Sequence, residues 1–269
     1  MDLPPPGPVD APAAAPVDAD AVVVAQQLVK RFGQKTAVDG ITLAIPHGSF
    51  YGLVGPNGAG KTTTIRMMVG LLRPDQGNVS VLGRWVWPQP APIKNDIGVL
   101  PDDLRLFERL TGRELLTYLG LLRGLERAVV DNRTDDLLET LGLTADGNTL
   151  VADYSTGMRK KVALAAAILH APKVLFLDEP FESVDPISSR TITEVLQGFR
   201  ERGGTVVFSS HVMDTVERLC DHVAIIANGR IARSGTIAEV CNGKRLDDAF
   251  VDAVGSPASA GGSLDWLHQ

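Results

Sequence analysis

Cysteine is nearly absent from this 269-residue chain, where Cys220 and Cys241 are the whole complement. Two thiols cannot build a disulfide framework. The fold must therefore rest on its core, a reducing compartment is implied, and both residues read as ordinary thiols. Long apolar runs are missing as well. The longest candidate, residues 162–169, falls far short of the about 18 residues that a bilayer-crossing helix needs. An excess of basic charge is also lacking. The net charge is −6, and Lys and Arg are scattered rather than gathered into a stripe, which argues against nucleic acid as a partner. Residues 1–20 hold no basic segment ahead of an apolar one, so they do not read as a secretory signal. Their Pro, Ala and Asp content describes a disordered leader, residues 1–21.

Aromatic residues are scarce at 5%, but 44% of the chain is apolar, enough to fill a core. Val, Leu, Ile and Ala come in short runs at 22–25, 41–45, 49–54, 79–82, 97–100, 174–177, 205–209 and 223–227. Such runs are the texture of buried parallel strands alternating with helices, so the class is α/β. Between 111 and 143 the pattern changes. Leu115, Leu119 and Leu122, then Leu137, Leu138 and Leu141, recur at helical spacing with no strand between them. A helical subdomain at about 102–170 is expected there, within a domain spanning 22–254. A Gly, Ser and Ala-rich segment at 255–262 opens a flexible tail, 255–269.

Residues 55–62 read Gly-Pro-Asn-Gly-Ala-Gly-Lys-Thr, a full match to G-x-x-x-x-G-K-[ST]. An apolar strand precedes them and a helical pattern at 63–72 follows. Gly55, Gly58 and Gly60 let backbone N–H groups around Asn57 turn towards a phosphate, and the following helix adds its positive dipole end. Lys61 reaches the outer phosphates as a point charge. The Thr62 hydroxyl takes one place in the octahedral shell of Mg²⁺, and Thr63 starts the helix beside it. A chance Gly-rich turn would not keep this spacing in this context.

The run 174–177 ends in Asp178 and Glu179, where α/β sheets bind ligands, at the C-terminal end of a strand. Asp178 is placed to hold Mg²⁺ and Glu179 to act as general base towards a water. Acidic residues commonly end strands without any such role, so the pair gains meaning only beside the phosphate loop.

Together these motifs resemble the ABC transporter ATPases, over residues 22 to about 254. Tyr154, Ser155, Thr156, Gly157 and Met158 look like that family's L-S-G-G-Q signature, with Ser155 and Gly157 at the serine and second glycine. Ser155 also reads as a plain helix N-cap. The resemblance implies a P-loop NTPase core, a RecA-like mixed sheet with an antiparallel β part, and a helical subdomain. It implies ATP and Mg²⁺ as cofactors. Phe32 would stack on adenine, or be simply core. Asp185 would communicate between two sites, or cap the helix starting at Pro186. His211 would contact the γ-phosphate and position the water. Asp102 stands where the family has a glutamine; it can approach the Mg²⁺ shell but cannot donate a hydrogen bond as an amide does.

The resemblance further implies a motor on the cytoplasmic face of a membrane, serving transmembrane permease subunits. It would work as a homodimer or beside a similar ATPase, with each ATP held between phosphate loop and opposite signature. Leu104, Leu106 and Phe107 would face the permease, or pack on the chain's own helices. The short cassette, Asp102 in place of the glutamine and the variant signature look most like the drug-exporter branch, in which the permeases are separate chains. A soluble ABC-type ATPase is the alternative. The long coiled coil of repair members and the paired cassettes of translation members are both missing, and no N-K-x-D segment supports a GTPase. Retained Lys61, Asp178, Glu179 and His211 argue against a scaffold that does not hydrolyse.

Overall fold

The structure is a computed structural model that describes residues 20–255. The expected leader and C-terminal tail lie outside these residues, save for Asp20, Ala21 and Gly255. Two sheets form the frame. Strands β1 (Ala21–Phe32) and β2 (Lys35–Pro46) make an antiparallel hairpin, to which β4 (Gln76–Val81) and the short β5 (Arg84–Trp85) add in the order β2-β1-β4-β5. The hairpin tip, Phe32 paired with Lys35, turns through Gly33 at φ 58°, a left-handed conformation that favours glycine.

The second sheet runs β10-β9-β3-β8-β7-β6. Its strands are β3 (Phe50–Val54), β6 (Ile97–Leu100), β7 (Val174–Leu177), β8 (Thr205–Ser210), β9 (His222–Ala227) and β10 (Arg230–Thr236). All pairings are parallel except β9 with β10. The apolar runs are continuous because both faces are covered. Val174 and Phe176 join a cluster shared with the antiparallel sheet, while Leu175 and Leu177 join one shared with the helices. Five parallel strands, β6, β7, β8, β3 and β9, thus end along one edge.

Helix α1 (Lys61–Met68) follows β3. It stops short of the expected 72 because Gly70 turns at φ 73° and the N–H groups of Leu71 and Leu72 fold back to the Arg66 carbonyl. Helices α2 (Gly112–Leu122) and α3 (Arg127–Thr140) follow one another with no strand between them, as the leucine spacing indicates. Thr111 and Glu114 start α2 as a reciprocal capping box. Helix α4 (Thr156–Ile168) lies across β6, and Gly98 is required there because a Cβ would strike the Ala167 carbonyl. Helices α5 (Pro186–Glu201), α6 (Met213–Leu219), α7 (Ile237–Cys241) and α8 (Leu246–Val254) follow among the described residues. Cys220 and Cys241 are free and buried.

Candidate functional site

The phosphate loop leaves the buried strand β3 at Gly55. No larger residue fits at two of its glycines: a Cβ on Gly55 would strike the Ile226 carbonyl, and on Gly60, at φ 111°, it would lie 2.6 Å from the Ala37 carbonyl. Gly60 is the N-cap of α1 with no side chain capping it, and no acidic residue sits in the first turn. The dipole end is therefore open to an anion. Lys61 is 6% exposed; its Nζ donates to the Gly55 carbonyl at 2.8 Å and lies 3.3 Å from Glu179 Oε1.

The acidic pair meets this loop from β7. Thr62 donates to Asp178 Oδ1 at 3.1 Å, and Ser209, at the end of β8, donates to the same oxygen at 2.6 Å. Ser209 Oγ also accepts from the Glu179 N–H at 2.9 Å, so one hydroxyl ties both acids to the neighbouring strand. Burial pushes the Asp178 carboxyl above its ordinary value, the bonds from Ser209 and Thr62 pull it back, and nearby Asp102 and Glu179 raise it further. Glu179 has φ 47° and is 8% exposed. His211 Nδ1 lies 3.1 Å from its Oε2, and Lys160 Nζ donates to its carbonyl at 2.9 Å.

Phe32, Asn57, Gly58, Gly60, Lys61, Thr62, Thr63, Asp102 and Glu179 line one cavity of about 430 Å³. Phe32 is 52% exposed, which rules out the core reading and leaves a ring face for a ligand. A larger cavity of about 730 Å³, between α3 and α5, holds none of the expected site residues. Size therefore does not choose the site; convergent polar groups do. Ser155, Gly157 and Asp185 stand outside the cavity. Ser155 accepts from the Met158 N–H as the N-cap of α4, and Asp185 accepts from Ile187 and Ser188 as the N-cap of α5. A Cβ on Gly157 would lie 2.6 Å from Asp185 Oδ2, so the two helix starts pack directly together.

Lys35 and Glu182 also line the cavity, and Ser209 and Lys160 hold its acids; sequence reasoning assigned a site role to none of the four. Ser209 carries a faint signal as the end of an apolar run next to His211. Lys35 and Lys160 carry none. The cavity's lining suits a nucleotide: it combines an aromatic ring with glycine N–H groups and a lysine. Thr62 and Asp178 offer a hydroxyl and a carboxylate on one spot. No cluster of three His, Cys, Asp or Glu able to hold a metal exists among the described residues. This donor set fits a cation that completes its shell with phosphate oxygens and water, as Mg²⁺ does.

Known proteins resemble this chain in sequence and fold. Residues 38–182 match the ABC transporter family. The linearmycin resistance ATP-binding protein of Bacillus subtilis is 38% identical over 218 residues, which are 81% of this chain and 70% of that protein. The daunorubicin/doxorubicin resistance ATP-binding protein of Streptomyces peucetius is 38% identical over 213 residues, 79% of this chain and 64% of that one. A solved ATP-binding subunit of an ABC transporter superposes with a TM-score of 0.80 at 29% identity, covering 86% of this chain and 99% of that structure. The phosphate loop, the paired acids at the strand ends and these relatives agree: the chain belongs to the ATP-binding, ATP-hydrolysing subunits of the ABC transporter family.

Proposed function

We propose that this ATPase is the motor of an exporter of drug-like compounds, acting on the cytoplasmic face of a membrane as one of a pair, with permease chains as partners. Within it, residues 22–254 form the ATPase domain and about 102–170 its helical subdomain. Phe32 stacks on adenine, the loop from Gly55 to Gly60 cradles the phosphates, and Lys61 neutralises the outer ones. Bound Mg²⁺ would be held by Thr62 and Asp178, with Asp102 near its water shell, and would supply charge neutralisation on the phosphate oxygens. Glu179 takes the proton of the attacking water, and His211 holds the carboxylate through Oε2 and faces the γ-phosphate. A γ-phosphate competes with Glu179 for the Lys61 ammonium, so nucleotide arrival frees the carboxylate for its proton.

The observation that supports the pairing is that two halves of one chemistry do not share a cavity within the chain. Ser155 and Gly157 stand at the start of α4 and line no part of the chain's own phosphate-loop cavity, so in this reading they serve ATP held by a second copy or a similar ATPase. Asp185, packed on Gly157, joins that outer face to the loop after Glu179. For the permease, Leu104 and Leu106 are half-buried against the chain's own core, whereas Phe107 is 54% exposed and meets Tyr118 edge to face. Phe107 and Tyr118 are therefore the apolar contact we assign to the permease. No helix among the described residues is long and apolar enough to cross a membrane, so attachment runs through such a surface. Copurification from membranes tests the reading. A multi-span membrane chain should accompany the protein and be lost on Phe107→Asp; an ATPase that stays free of any membrane chain would favour the soluble alternative.

A further inference from the structure

Four carboxylates, Asp102, Asp178, Glu179 and Glu182, crowd the edge where the strands end. Asp102 and Glu182 line the phosphate-loop cavity and also a smaller cavity of about 270 Å³, walled on its far side by Thr156, Arg159 and Lys160 of α4. Lys61 serves Glu179 from the loop side. On the α4 side Arg159 is spent elsewhere, bonded to Glu108 and the Val151 carbonyl. Lys160 is not. It is 5% exposed, and its Nζ donates to the Glu179 carbonyl. The Glu179 backbone needs such help: it is a non-glycine residue at φ 47°, and side chains hold both of its polar backbone groups, Ser209 at the N–H and Lys160 at the carbonyl. Burial pushes the Lys160 ammonium down, while Asp102 first, then Glu182, Asp178 and Glu179, pull it back up.

We propose that Lys160 is a positioning residue for hydrolysis: it fixes the Glu179 backbone to α4 and supplies the positive charge that allows a carboxylate, Asp102, to stand where the family resemblance implies a glutamine. The inference rests on the role proposed above for Glu179. An amide at 102 would add no charge beside Asp178 and Glu179. A carboxylate adds one, at a place that must also accept a phosphate, and a buried cation opposite it offsets that charge without touching the nucleotide. Lys160 and Asp102 are thus a matched pair, and changing either alone unbalances the site.

The test is a double-mutant cycle on the full chain, reading kcat and KM for Mg²⁺-ATP in K160Q, D102Q and K160Q/D102Q, with K160R and E179Q beside them. K160Q should lower kcat about tenfold and leave KM within about twofold, since the amine sits behind the hydrolytic carboxylate and not on the nucleotide. D102Q should lower kcat in the natural background yet raise it at least about threefold in K160Q, a reversal that independent sites do not show. K160R, which keeps the charge, should stay close to the natural rate. If D102Q changes kcat by the same factor in both backgrounds, Lys160 only packs and the pairing is wrong. An E179Q protein that hydrolyses at the natural rate would instead overturn the role of Glu179, a separate failure. K160M keeps the aliphatic stem and serves if K160Q is poorly folded. Should both singles fail to fold, folding becomes the readout: recovery with D102Q supports the pair, and failure of the doubles overturns it.

Discussion

Lys61 has three oxygen neighbours inside its own chain: the Gly55 and Pro56 carbonyls and the Glu179 carboxylate. A phosphate draws the ammonium from these, and charge-assisted bonds of that kind contribute about 1.5–3 kcal/mol each. Lys61→Ala should therefore weaken nucleotide binding by about 10- to 100-fold, read by titration with a fluorescent nucleotide. Equal affinity in variant and natural protein would remove Lys61 from the phosphate-binding role. The position of Lys61 was legible because the motif is contiguous: seven neighbours in sequence define its environment. Ser209 was not, although it bonds to both acids of the site, because one hydroxyl at the end of a buried strand looks like any other until the neighbouring strand is placed beside it. Phe32 stood open between core and ligand from sequence, since a lone aromatic after a strand is ambiguous; its exposure at the hairpin tip removes the core reading.

Helix α4 joins two tasks. It begins at the Ser155 cap, and just past its last turn His170 meets the sheet, its Nε2 2.9 Å from the Ile97 carbonyl. Burial, then the Arg123 charge, push the His170 imidazole down to about 4 from its ordinary 6.5, with Arg133 adding to the fall and the Ile97 bond opposing it. The folded chain thus keeps His170 neutral while the unfolded chain protonates it below 6.5. Its share of stability is complete above pH 6.5 and is lost as pH falls from there through about 4. Denaturant unfolding of the natural protein should show that decline, and His170→Gln, which keeps a donor but cannot titrate, should flatten it. An unchanged slope would place the acid sensitivity elsewhere. Further along the same contact, Gly98→Ala drives a methyl group into the Ala167 carbonyl and the Leu175 side chain. A loss of about 1–3 kcal/mol is expected, seen in thermal unfolding as a midpoint lower by about 2–4 °C per kcal/mol. At this scale the sequence was legible where apolar residues repeat, as in α2 and α3. It was silent for β10, an edge strand that reads Arg-Ile-Ala-Arg-Ser-Gly-Thr and buries none of its side chains fully.

At the scale of the molecule, Ser155 and Gly157 line no part of the phosphate-loop cavity, so the proposed ATP sandwich needs two chains. Glu179→Gln keeps the size of the side chain and removes both its proton acceptor and its repulsion of the γ-phosphate. With Mg²⁺-ATP this variant should run as a dimer in size exclusion or light scattering, and as a monomer without it. Adding Ser155→Arg should abolish the dimer, because the larger side chain blocks the second face while the phosphate loop is untouched. If ATP gives no dimer with Glu179→Gln, the self-complementary sandwich fails and a similar partner ATPase must take the second place. If the double variant dimerises equally well, Ser155 is only a helix cap. The sequence by itself determined the α/β class, the phosphate loop with Lys61 and Thr62, and the acidic pair, because each is written in neighbouring residues whose spacing is the chemistry. Only the tertiary structure decided that His211 meets Glu179 Oε2, that Ser209 spans Asp178 and Glu179, that Lys160 reaches the Glu179 carbonyl, and that Leu104 and Leu106 turn inward while Phe107 stays out. Each of those contacts joins elements far apart along the chain, and it exists because parallel strands paired in register deliver their C-terminal ends to one edge, a long-range pairing that no local pattern encodes.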